Sequence, residues 1–343
     1  MVRLKDIAQA TGLSLMTISK ALRDEHDISP ATKARVKAVA QQMGYVPDSS
    51  ARSLRTRSTR LLGIVISSVT NPIFARMVLA IQEKAFELGY DVLLSYTGND
   101  PEREDMALRR LLARRVEGIF VSPVYRITGA VRIYQELAGQ NTPTVLLGHP
   151  TQFCSQFPSV ECDDTLGAYD VTRHLLSLGH RKIAFLGGPP GTPWTAERFD
   201  GYRRALRESG LDTEDGLIFQ AGSSIDAGRK TAEQIISEHT GATAIQAVND
   251  LVAVGCAEVF LERGLRIPSD VSITGFGNVT VSEHFRVPLT TSNQPKYRLG
   301  LAGMDLMLQL LKGRKTDPLR LPPELVVRSS SGTAPASSVF ERL

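Results

Sequence analysis

The N-terminal stretch 14–23 carries side chains whose types and spacing suit contact with DNA. Ile18, Ala21 and Leu22 recur at helical spacing and mark an apolar face. The outward-facing residues are Leu15, Met16, Ser19, Lys20 and Arg23. Lysine and arginine can bind phosphate or guanine, whereas leucine and methionine offer only apolar contact, for instance to thymine methyl groups. This face is predicted to enter a DNA groove, although it does not reveal the half-site sequence.

Two short helices joined by a turn must position that face. Ile7 and Ala8 form the apolar side of the first helix, and Gly12 lies where the chain must turn. Glycine adopts a left-handed backbone without steric cost, and Ser14 is a good N-cap for the second helix. The pattern predicts a helix-turn-helix whose second helix enters the major groove. An ordinary helical hairpin remains the alternative at this point, because such patterns are weak signals.

A third helix and a basic segment follow. Ser29 and Pro30 supply an N-cap and a proline at the first helical position, and Gly44 marks the end of that helix. The segment 49–60 is basic, is too short to bury a core and carries one conspicuous apolar residue, Leu54. Leucine can act as a wedge that unstacks a base step from the minor groove. A flexible linker whose Leu54 docks on a neighbouring domain is the alternative.

Charge is concentrated at the N-terminus. The chain has 343 residues, enough for two or three domains, and a net charge of +4. Residues 1–60 hold eleven basic and five acidic residues, a net charge of +6, which leaves −2 for the remainder. A basic head on a near-neutral body is typical of a nucleic-acid module carried by another domain, although charge alone also fits a merely solvated basic surface.

From Leu61 onward, strands alternate with helices. Leu61–Ile66 is a buried-strand run, and the helix that follows ends at Gly89. The alternation restarts near Asp164, which predicts two α/β lobes with parallel sheets rather than one large sheet. We expect an effector-binding and dimerisation domain over 61–328 and a tail over 329–343. Ligands of such folds bind beyond the carboxyl ends of the strands, here in the cleft between lobes.

The sequence shows no sign of secretion or membrane insertion. The N-terminus lacks an apolar leader, and no stretch of about 18 apolar residues occurs, so a cytoplasmic protein without a membrane partner is expected. Its three cysteines, Cys154, Cys162 and Cys256, form no C-x-x-C pair. Buried structural roles in a reducing compartment are expected for them.

Motifs along almost the whole chain resemble the LacI family of bacterial transcription regulators. In the head and the adjoining segment they are Lys5-Asp-Ile-Ala, Gly12-Leu-Ser, Thr17-Ile-Ser-Lys, Gly44-Tyr-Val-Pro and Ala51-Arg-Ser-Leu54. In the body they are Gly179–Gly188, Glu197–Tyr202, Val248–Asp250, Pro268–Gly275 and Pro288–Thr291. The resemblance implies a helix-turn-helix head over 1–47, a hinge helix over 48–60 that folds on operator DNA, and a body similar to periplasmic sugar-binding proteins.

The resemblance also implies how the chain meets DNA and a second copy of itself. A homodimer would present two heads to a pseudo-palindromic operator with a central C·G step, into which Leu54 inserts. The tail lacks the leucine heptad of tetrameric relatives, so a dimer is expected. The implied DNA-binding residues are Ser14, Leu15, Met16, Thr17, Ser19, Lys20, Arg23, Tyr45, Ala51, Leu54 and Arg55.

Effector-binding residues follow from the same resemblance. Arg198 matches a pocket arginine whose guanidinium grips hydroxyls or carboxylates, with a surface ion pair as the alternative. Phe74 matches an aromatic residue that stacks on the ligand, with plain core packing as the alternative. Trp194, the only tryptophan, is interpreted as an aromatic platform. The full implied set is Ser67, Asn71, Phe74, Ser122, Trp194, Arg198, Asn249 and Asp250.

The resemblance also implies that the chain crosses between the two lobes three times. The first lobe is expected to hold residues 61–160 and 291–328, so that the last segment returns to it. The second lobe is expected to hold residues 161–290.

Two departures from the family pattern bear on the effector. Gly275-Phe-Gly-Asn278 lacks the aspartate usual there, and Leu146-Leu-Gly-His149 lacks a second acid. The loss of two acceptors beside a retained Arg198 would make the pocket less negative. The hypothesis is therefore an anionic carbohydrate-type effector, such as a sugar acid or phosphosugar.

Other function classes have less support. A solute-binding protein without a DNA role would share the two lobes, but the basic head argues against it. An enzyme would need a catalytic motif, and G-x-S-x-G, the P-loop and H-x-x-x-H are all missing from the sequence. The six histidines lack metal-ligand spacing, and Asp163 beside Asp164 is interpreted as a helix N-cap. Neither a metal site nor a cofactor is predicted.

Overall fold

A computed structural model describes residues 2–46, 58–126 and 128–341. The chain divides into two compact units, Met1–Thr59 and Arg60–Leu343. The second unit is called the body here. Most of the expected hinge lies outside the described residues, including Ala51, Leu54 and Arg55, so the insertion of Leu54 stays a prediction.

The head consists of three short helices around a small core. They are α1 (Leu4–Thr11), α2 (Leu15–Leu22) and α3 (Pro30–Gln42). Gly12 adopts the left-handed conformation, with φ of 71°, and the Ser14 hydroxyl caps α2 by accepting from the Thr17 N–H at 3.1 Å. Ser29 caps α3 in the same way through Thr32. The core residues are Ile7, Ile18, Ala21, Val36 and Ala40. The predicted turn and both predicted caps are confirmed.

The body contains two six-stranded sheets, one in each lobe. The first sheet has the order β11-β5-β4-β3-β1-β2, and the second has the order β12-β10-β9-β8-β6-β7. All pairings are parallel except β10 with β12. The strands are β1 (Leu61–Ile66), β2 (Asp91–Tyr96), β3 (Gly118–Val121), β4 (Thr144–Leu147), β5 (Ser159–Cys162), β6 (Ile183–Gly187), β7 (Ile218–Gln220), β8 (Ala244–Ala247), β9 (Ser272–Phe276), β10 (Thr290–Asn293), β11 (Leu319–Leu321) and β12 (Glu324–Val326).

Helices cover both faces of the sheets, as parallel strands require. They are α4 (Pro72–Glu87), α5 (Pro101–Ala113), α6 (Arg132–Gly139), α7 (Asp164–Ser177), α8 (Pro193–Glu208), α9 (Ile225–Ser237), α10 (Asp250–Glu262), α11 (Thr280–His284) and α12 (Lys296–Leu311), with a 3₁₀ turn at Asp215–Leu217. Asn71 and Asp163 cap α4 and α7 through their side chains, so the N-cap interpretation of Asp163 is confirmed. Within the described residues, no helix combines the length and apolar character needed to cross a membrane.

The chain passes between the lobes three times, but the lobe boundaries differ from the expectation. Strand β10 (Thr290–Asn293) pairs with β9 in the second sheet, and β12 (Glu324–Val326) pairs with β10. Only α12 and β11 return to the first lobe, where β11 pairs with β5. The expected assignment of 291–328 to the first lobe was therefore wrong at both ends.

The C-terminal tail packs on the second lobe. The Phe340 ring is fully buried, 5.0 Å from the ring of Phe260 between centroids. The Ser330 hydroxyl donates to the Ile273 carbonyl at 2.5 Å and accepts from the Thr290 N–H at 2.8 Å. The tail thus completes the hydrophobic core of this lobe instead of leaving its surface.

Candidate functional site

A cavity of about 370 Å³ lies between the two lobes of the body. Its lining comes from the segments that directly follow strands, including Ser67 after β1, Ser122 after β3 and His149 after β4. The second lobe contributes Asn249 after β8, and Phe276 ends β9. The site therefore lies beyond the carboxyl ends of both sheets, where ligands of open α/β folds bind.

The structure brings together all the residues named as effector contacts. The cavity lining includes Ser67, Asn71, Phe74, Ser122, Trp194, Arg198, Asn249 and Asp250. They come from both lobes and from positions up to 183 residues apart in the chain. Their common location agrees with a pocket, and their binding of an effector stays a prediction.

Arg198 is buried at the wall of the cavity, with 5% of its surface exposed. Its Nε and Nη2 donate to Oδ1 of Asp164 at 3.0 and 2.8 Å, and its Nη1 donates to the Val248 carbonyl at 2.5 Å. The alternative of a surface ion pair was wrong, since both partners are buried. Burial raises the pKa of the Asp164 carboxyl, although the charges of Arg198 and His149 oppose that rise.

Aromatic rings flank the Arg198 guanidinium. Its central carbon lies 3.7 Å from the centroid of the Phe276 ring and 4.9 Å from that of Trp194. Cation–π contacts of this kind are strongest where water is excluded. Phe74 also lines the cavity and packs against the core of the first lobe, so its packing and its ligand-facing interpretation are both compatible with the structure.

Asn249 and Asp250 are largely committed to the protein itself. The Asn249 Oδ1 accepts from the Val252 N–H and caps α10, while its Nδ2 donates to the Ser223 carbonyl. The Asp250 carboxylate accepts from the Thr291 hydroxyl at 2.6 Å and from the Val279 N–H at 2.8 Å. Because Asp250 is 1% exposed, it shapes the cavity wall and has little surface left for a ligand.

Several lining residues were not among the predicted contacts. Gln294 is buried and its Oε1 has no hydrogen-bond partner, so this amide has an acceptor available to a ligand. The Tyr125 hydroxyl donates to the His149 carbonyl at 3.2 Å. Phe276 lies directly after the Pro268–Gly275 motif, which was a usable signal for it. Gln294 had none, because an isolated glutamine follows no pattern.

His149, which stands where the family pattern has an acid, lies among three carboxylates. Its Nε2 is 3.1 Å from Glu197 Oε2, 3.4 Å from Asp164 Oδ2 and 3.6 Å from Glu161 Oε2. Burial lowers the pKa of His149, but these carboxylates outweigh it and raise the pKa above its usual value. The cavity lining also includes the carboxylates of Asp164 and Asp250, so the expectation of a pocket less negative than the family pattern stays a prediction.

In the head, the first turn of α2 exposes two apolar side chains. Leu15 is 54% exposed and Met16 is 68% exposed, while Thr17 and Ser19 are partly buried. Large exposed hydrophobic side chains on a small domain indicate a contact surface. This arrangement agrees with the predicted recognition face.

Other predicted DNA contacts have partners within the head. Lys20 forms an ion pair with Asp27, and Arg23 pairs with Glu25 at 3.0 Å while its Nε donates to the Ser19 carbonyl. Exposed pairs of this kind are weak and can be exchanged for phosphates. Tyr45 packs against the hydrophobic core of the head, so its ring has a structural role in addition to any DNA contact.

Known families match both units of the chain. A model described as bacterial regulatory proteins of the lacI family matches residues 3–48, and one described as a periplasmic binding protein-like domain matches residues 172–331. The transcriptional regulator DegA of Bacillus subtilis (strain 168) is 31% identical over 328 residues, 95% of this chain and 97% of DegA. The transcriptional repressor PurR of Vibrio atlanticus (strain LGP32) is 30% identical over 337 residues, 97% of this chain and 99% of that protein.

Solved structures agree with this assignment. The Lac repressor dimer bound to operator and the anti-inducer ONPF has a TM-score of 0.84 and 28% identity, covering 96% of this chain and 99% of that one. The complex of the transcriptional regulator CelR with cellobiose has a TM-score of 0.72 and 28% identity, covering 96% of this chain and 100% of that one. Similarity therefore extends from the head through both lobes, and the chain belongs to the LacI family of bacterial regulatory proteins.

Proposed function

We propose that this protein is a DNA-binding transcriptional repressor whose operator affinity is controlled by a small molecule bound between its lobes. As a homodimer, it would present two heads to the half-sites of a pseudo-palindromic operator. The Lac repressor, whose structure is similar over 96% of this chain, is a dimer bound to operator. The proposed activity is binding and regulation, without an enzymatic reaction.

One observation carries the proposal. Residues implied by a regulator's effector pocket, although scattered along the chain, line a single cavity in a protein that also has a helix-turn-helix head. A solute-binding protein would need the cavity but not the head, whose α2 exposes Leu15 and Met16. The combination is what an allosteric repressor requires.

The cavity favours a carbohydrate-type effector with one apolar face. Phe74 and Trp194 supply aromatic surfaces, while Ser67, Ser122 and Gln294 supply hydroxyl and amide groups. Among the described lining residues, Arg198 is the one lysine or arginine, and its charge is matched by Asp164. We therefore propose a neutral polyhydroxylated molecule ahead of a sugar acid or phosphosugar.

An anionic effector keeps one argument in its favour. A guanidinium has five N–H donors, and Arg198 uses three of them for Asp164 and Val248. The remaining donors could bind a carboxylate or phosphate, so both classes belong in the test.

Effector control requires that the ligand distinguish two arrangements of the lobes. A molecule that contacts Ser67 and Ser122 in one lobe and Arg198 in the other binds most tightly at one angle between the lobes. Only this differential affinity can shift the equilibrium towards or away from the DNA-binding state. In the proposed mechanism, the lobe angle sets the spacing of the two hinge segments, which then fold or melt on the operator.

The experiment uses Trp194 as the reporter, because it is the only tryptophan in the chain and lines the cavity. Neutral sugars, sugar acids, phosphosugars and purines are titrated while tryptophan fluorescence is followed. We expect one class to give a saturable change, and the same molecule to alter affinity for a duplex selected from a random DNA pool. A protein that selects no duplex sequence would contradict the proposed function.

A matched pair of variants separates the pocket from the rest of the body. Ser122→Ala removes a buried hydroxyl from the cavity wall. It should weaken the ligand affinity, as measured by tryptophan fluorescence, about tenfold. Ser237→Ala, at the end of α9 on the surface, should leave it unchanged. Equal ligand affinities of the two variants would place the ligand outside this cavity.

A further inference from the structure

One buried histidine and two carboxylates converge at the junction of the lobes. They are His149 after β4, Glu161 in β5 and Glu197 in α8, and their ligand atoms all lie within 4.8 Å of one another. The histidine and Glu161 are more than nine-tenths buried, and the Glu197 side chain is 22% exposed. The first two belong to the first lobe, and Glu197 belongs to the second.

Two atoms of this cluster lack the hydrogen bonds that buried polar groups normally make. His149 Nε2 and Glu197 Oε2 are both buried, and neither has a hydrogen-bond partner of acceptable geometry. They lie 3.1 Å apart without being aligned for a hydrogen bond. An imidazole nitrogen buried beside three carboxylates, Asp164 included, can be satisfied by a metal ion or by a proton shared with Glu197.

The distances also agree with a zinc site. Zn–N and Zn–O bonds of about 2.0–2.2 Å place neighbouring ligands of a tetrahedral ion about 3.3–3.6 Å apart. The Nε2 atom of His149 lies 3.1 Å from Glu197 Oε2 and 3.6 Å from Glu161 Oε2. The first separation lies just below the tetrahedral range and the second at its upper end, and all the ligand atoms lie within 4.8 Å of one another.

Outer contacts hold both carboxylates in place. The Ser159 hydroxyl donates to Glu161 Oε1 at 2.6 Å, which leaves Oε2 as the inward-facing oxygen. Arg320 donates to Glu197 Oε1 at 2.5 Å and to Glu161 Oε2 at 3.3 Å. Second-shell partners of this kind commonly orient ligands, although Arg320 must release Glu161 Oε2 when an ion arrives.

We propose that His149, Glu161 and Glu197 form a binding site for a divalent transition metal, preferentially Zn²⁺, that joins the two lobes. His149 also lines the effector cavity, so the ion would bind beside the effector. Because the ligands come from both lobes, the ion favours the lobe arrangement that brings Glu197 to His149. The metal would thereby act as a second ligand that biases the conformation of the body. The inference does not rest on the proposed function, since metal binding is measured without DNA or effector.

The test is calorimetric titration of the metal-free full-length protein with Zn²⁺. We expect one ion per chain, an increased Tm of the body, and a visible Co²⁺ spectrum of four-coordinate intensity. His149→Gln and Glu161→Gln should each weaken binding more than about 100-fold, since even second-shell losses cost 10–100-fold. His284→Gln, an exposed histidine outside the cluster, serves as the matched control and should bind as the unmodified protein does.

The competing explanation is a proton in place of the metal. A protonated His149 would balance the carboxylates, and the protein would then bind no stoichiometric Zn²⁺. That result, or Zn²⁺ binding that persists in His149→Gln, would overturn the inference. If His149→Gln does not melt cooperatively, Glu197→Gln replaces it, because this partly exposed side chain can be changed with less damage to the core.

Discussion

Arg198 and Asp164 form a buried ion pair that links α8 to the first residue of α7. Two guanidinium nitrogens, Nε and Nη2, donate to the same carboxylate oxygen at 3.0 and 2.8 Å. The pair also lines the cavity, so the group expected to hold the effector is part of the lobe's own packing. Stability and ligand response are therefore coupled at this arginine.

The first prediction concerns that coupling. Arg198→Ala should lower the free energy of unfolding of the body by about 3–5 kcal/mol, because the buried Asp164 carboxylate loses both hydrogen bonds from the guanidinium and keeps only the His149 contact at 3.4 Å. Urea denaturation followed by circular dichroism measures the change. The control is Arg204→Ala, which removes an exposed ion pair with Glu208 from the same helix and should change stability little. Similar losses of unfolding free energy in the two variants would show that the buried ion pair stabilises the body no more than the exposed one.

A second prediction follows from the close approach of Gly275 to Asp250. A Cβ atom added at Gly275 would lie 2.2 Å from Asp250 Oδ1, so the carboxylate must move away from Thr291. We expect Gly275→Ala to cost about 1–3 kcal/mol in unfolding free energy, the usual range for overpacking. Gly139→Ala is the control, since nothing lies within 4 Å of its added Cβ and residue 139 is helical. A Gly275→Ala protein as stable as Gly139→Ala would refute the steric argument.

Most of the fold was predictable because its signals are local. Caps such as Ser14 and Asn71, glycines at helix ends, and apolar runs such as Leu61–Ile66 each identify one element without reference to any other. Strand β5 (Ser159–Cys162) was missed for a physical reason. It is only four residues long and buries the polar Ser159 and Glu161, joined by a 2.6 Å hydrogen bond, so it lacks the continuous apolar run expected of a strand that is buried on both faces.

The site was predictable only in part. Positions that directly follow strands, such as Ser67 and Ser122, could be placed in the cleft because the edge of a parallel sheet is implied by the alternation of elements. The sheet that β10 and β12 join depends on which sheet edge is free. No local sequence pattern encodes this choice. Likewise, His149 and Glu197 meet only because both lobes are folded, so histidine spacing could not reveal their proximity.

The third prediction concerns pH and His180. This ring is fully buried, with Nδ1 2.8 Å from the Thr243 hydroxyl and Nε2 3.1 Å from the Gly332 carbonyl. Burial lowers the pKa of His180, so the unfolded chain takes up a proton near pH 6.5 that the folded body does not. The contribution of His180 to the unfolding free energy should therefore be complete above pH 6.5 and fall as the pH decreases, opposite in sign to that of His149. The slope for one proton is at most about 1.4 kcal/mol per pH unit.

Denaturant midpoints between pH 5 and pH 8 measure that slope. His180→Asn should be less stable at neutral pH but should show a shallower decline on acidification. His284→Gln, which changes an exposed histidine, should retain the full slope. A slope that is the same in His180→Asn and the unmodified protein would assign the acid sensitivity to other groups.

The last prediction separates base recognition from phosphate contact in the head. Leu15→Ala with Met16→Ala removes exposed apolar surface without touching the core, so the head should fold normally. Affinity for the selected operator should fall about tenfold, since losing one base contact costs about 1–3 kcal/mol, while non-specific affinity stays the same. Lys20→Gln should instead weaken binding to all sequences and reduce the salt dependence by about one counterion. Gln41→Ala, on the exposed end of α3, is the control, and fluorescence anisotropy at several salt concentrations distinguishes the variants. If the Leu15 and Met16 double variant lost specific and non-specific affinity equally, these side chains would not read bases.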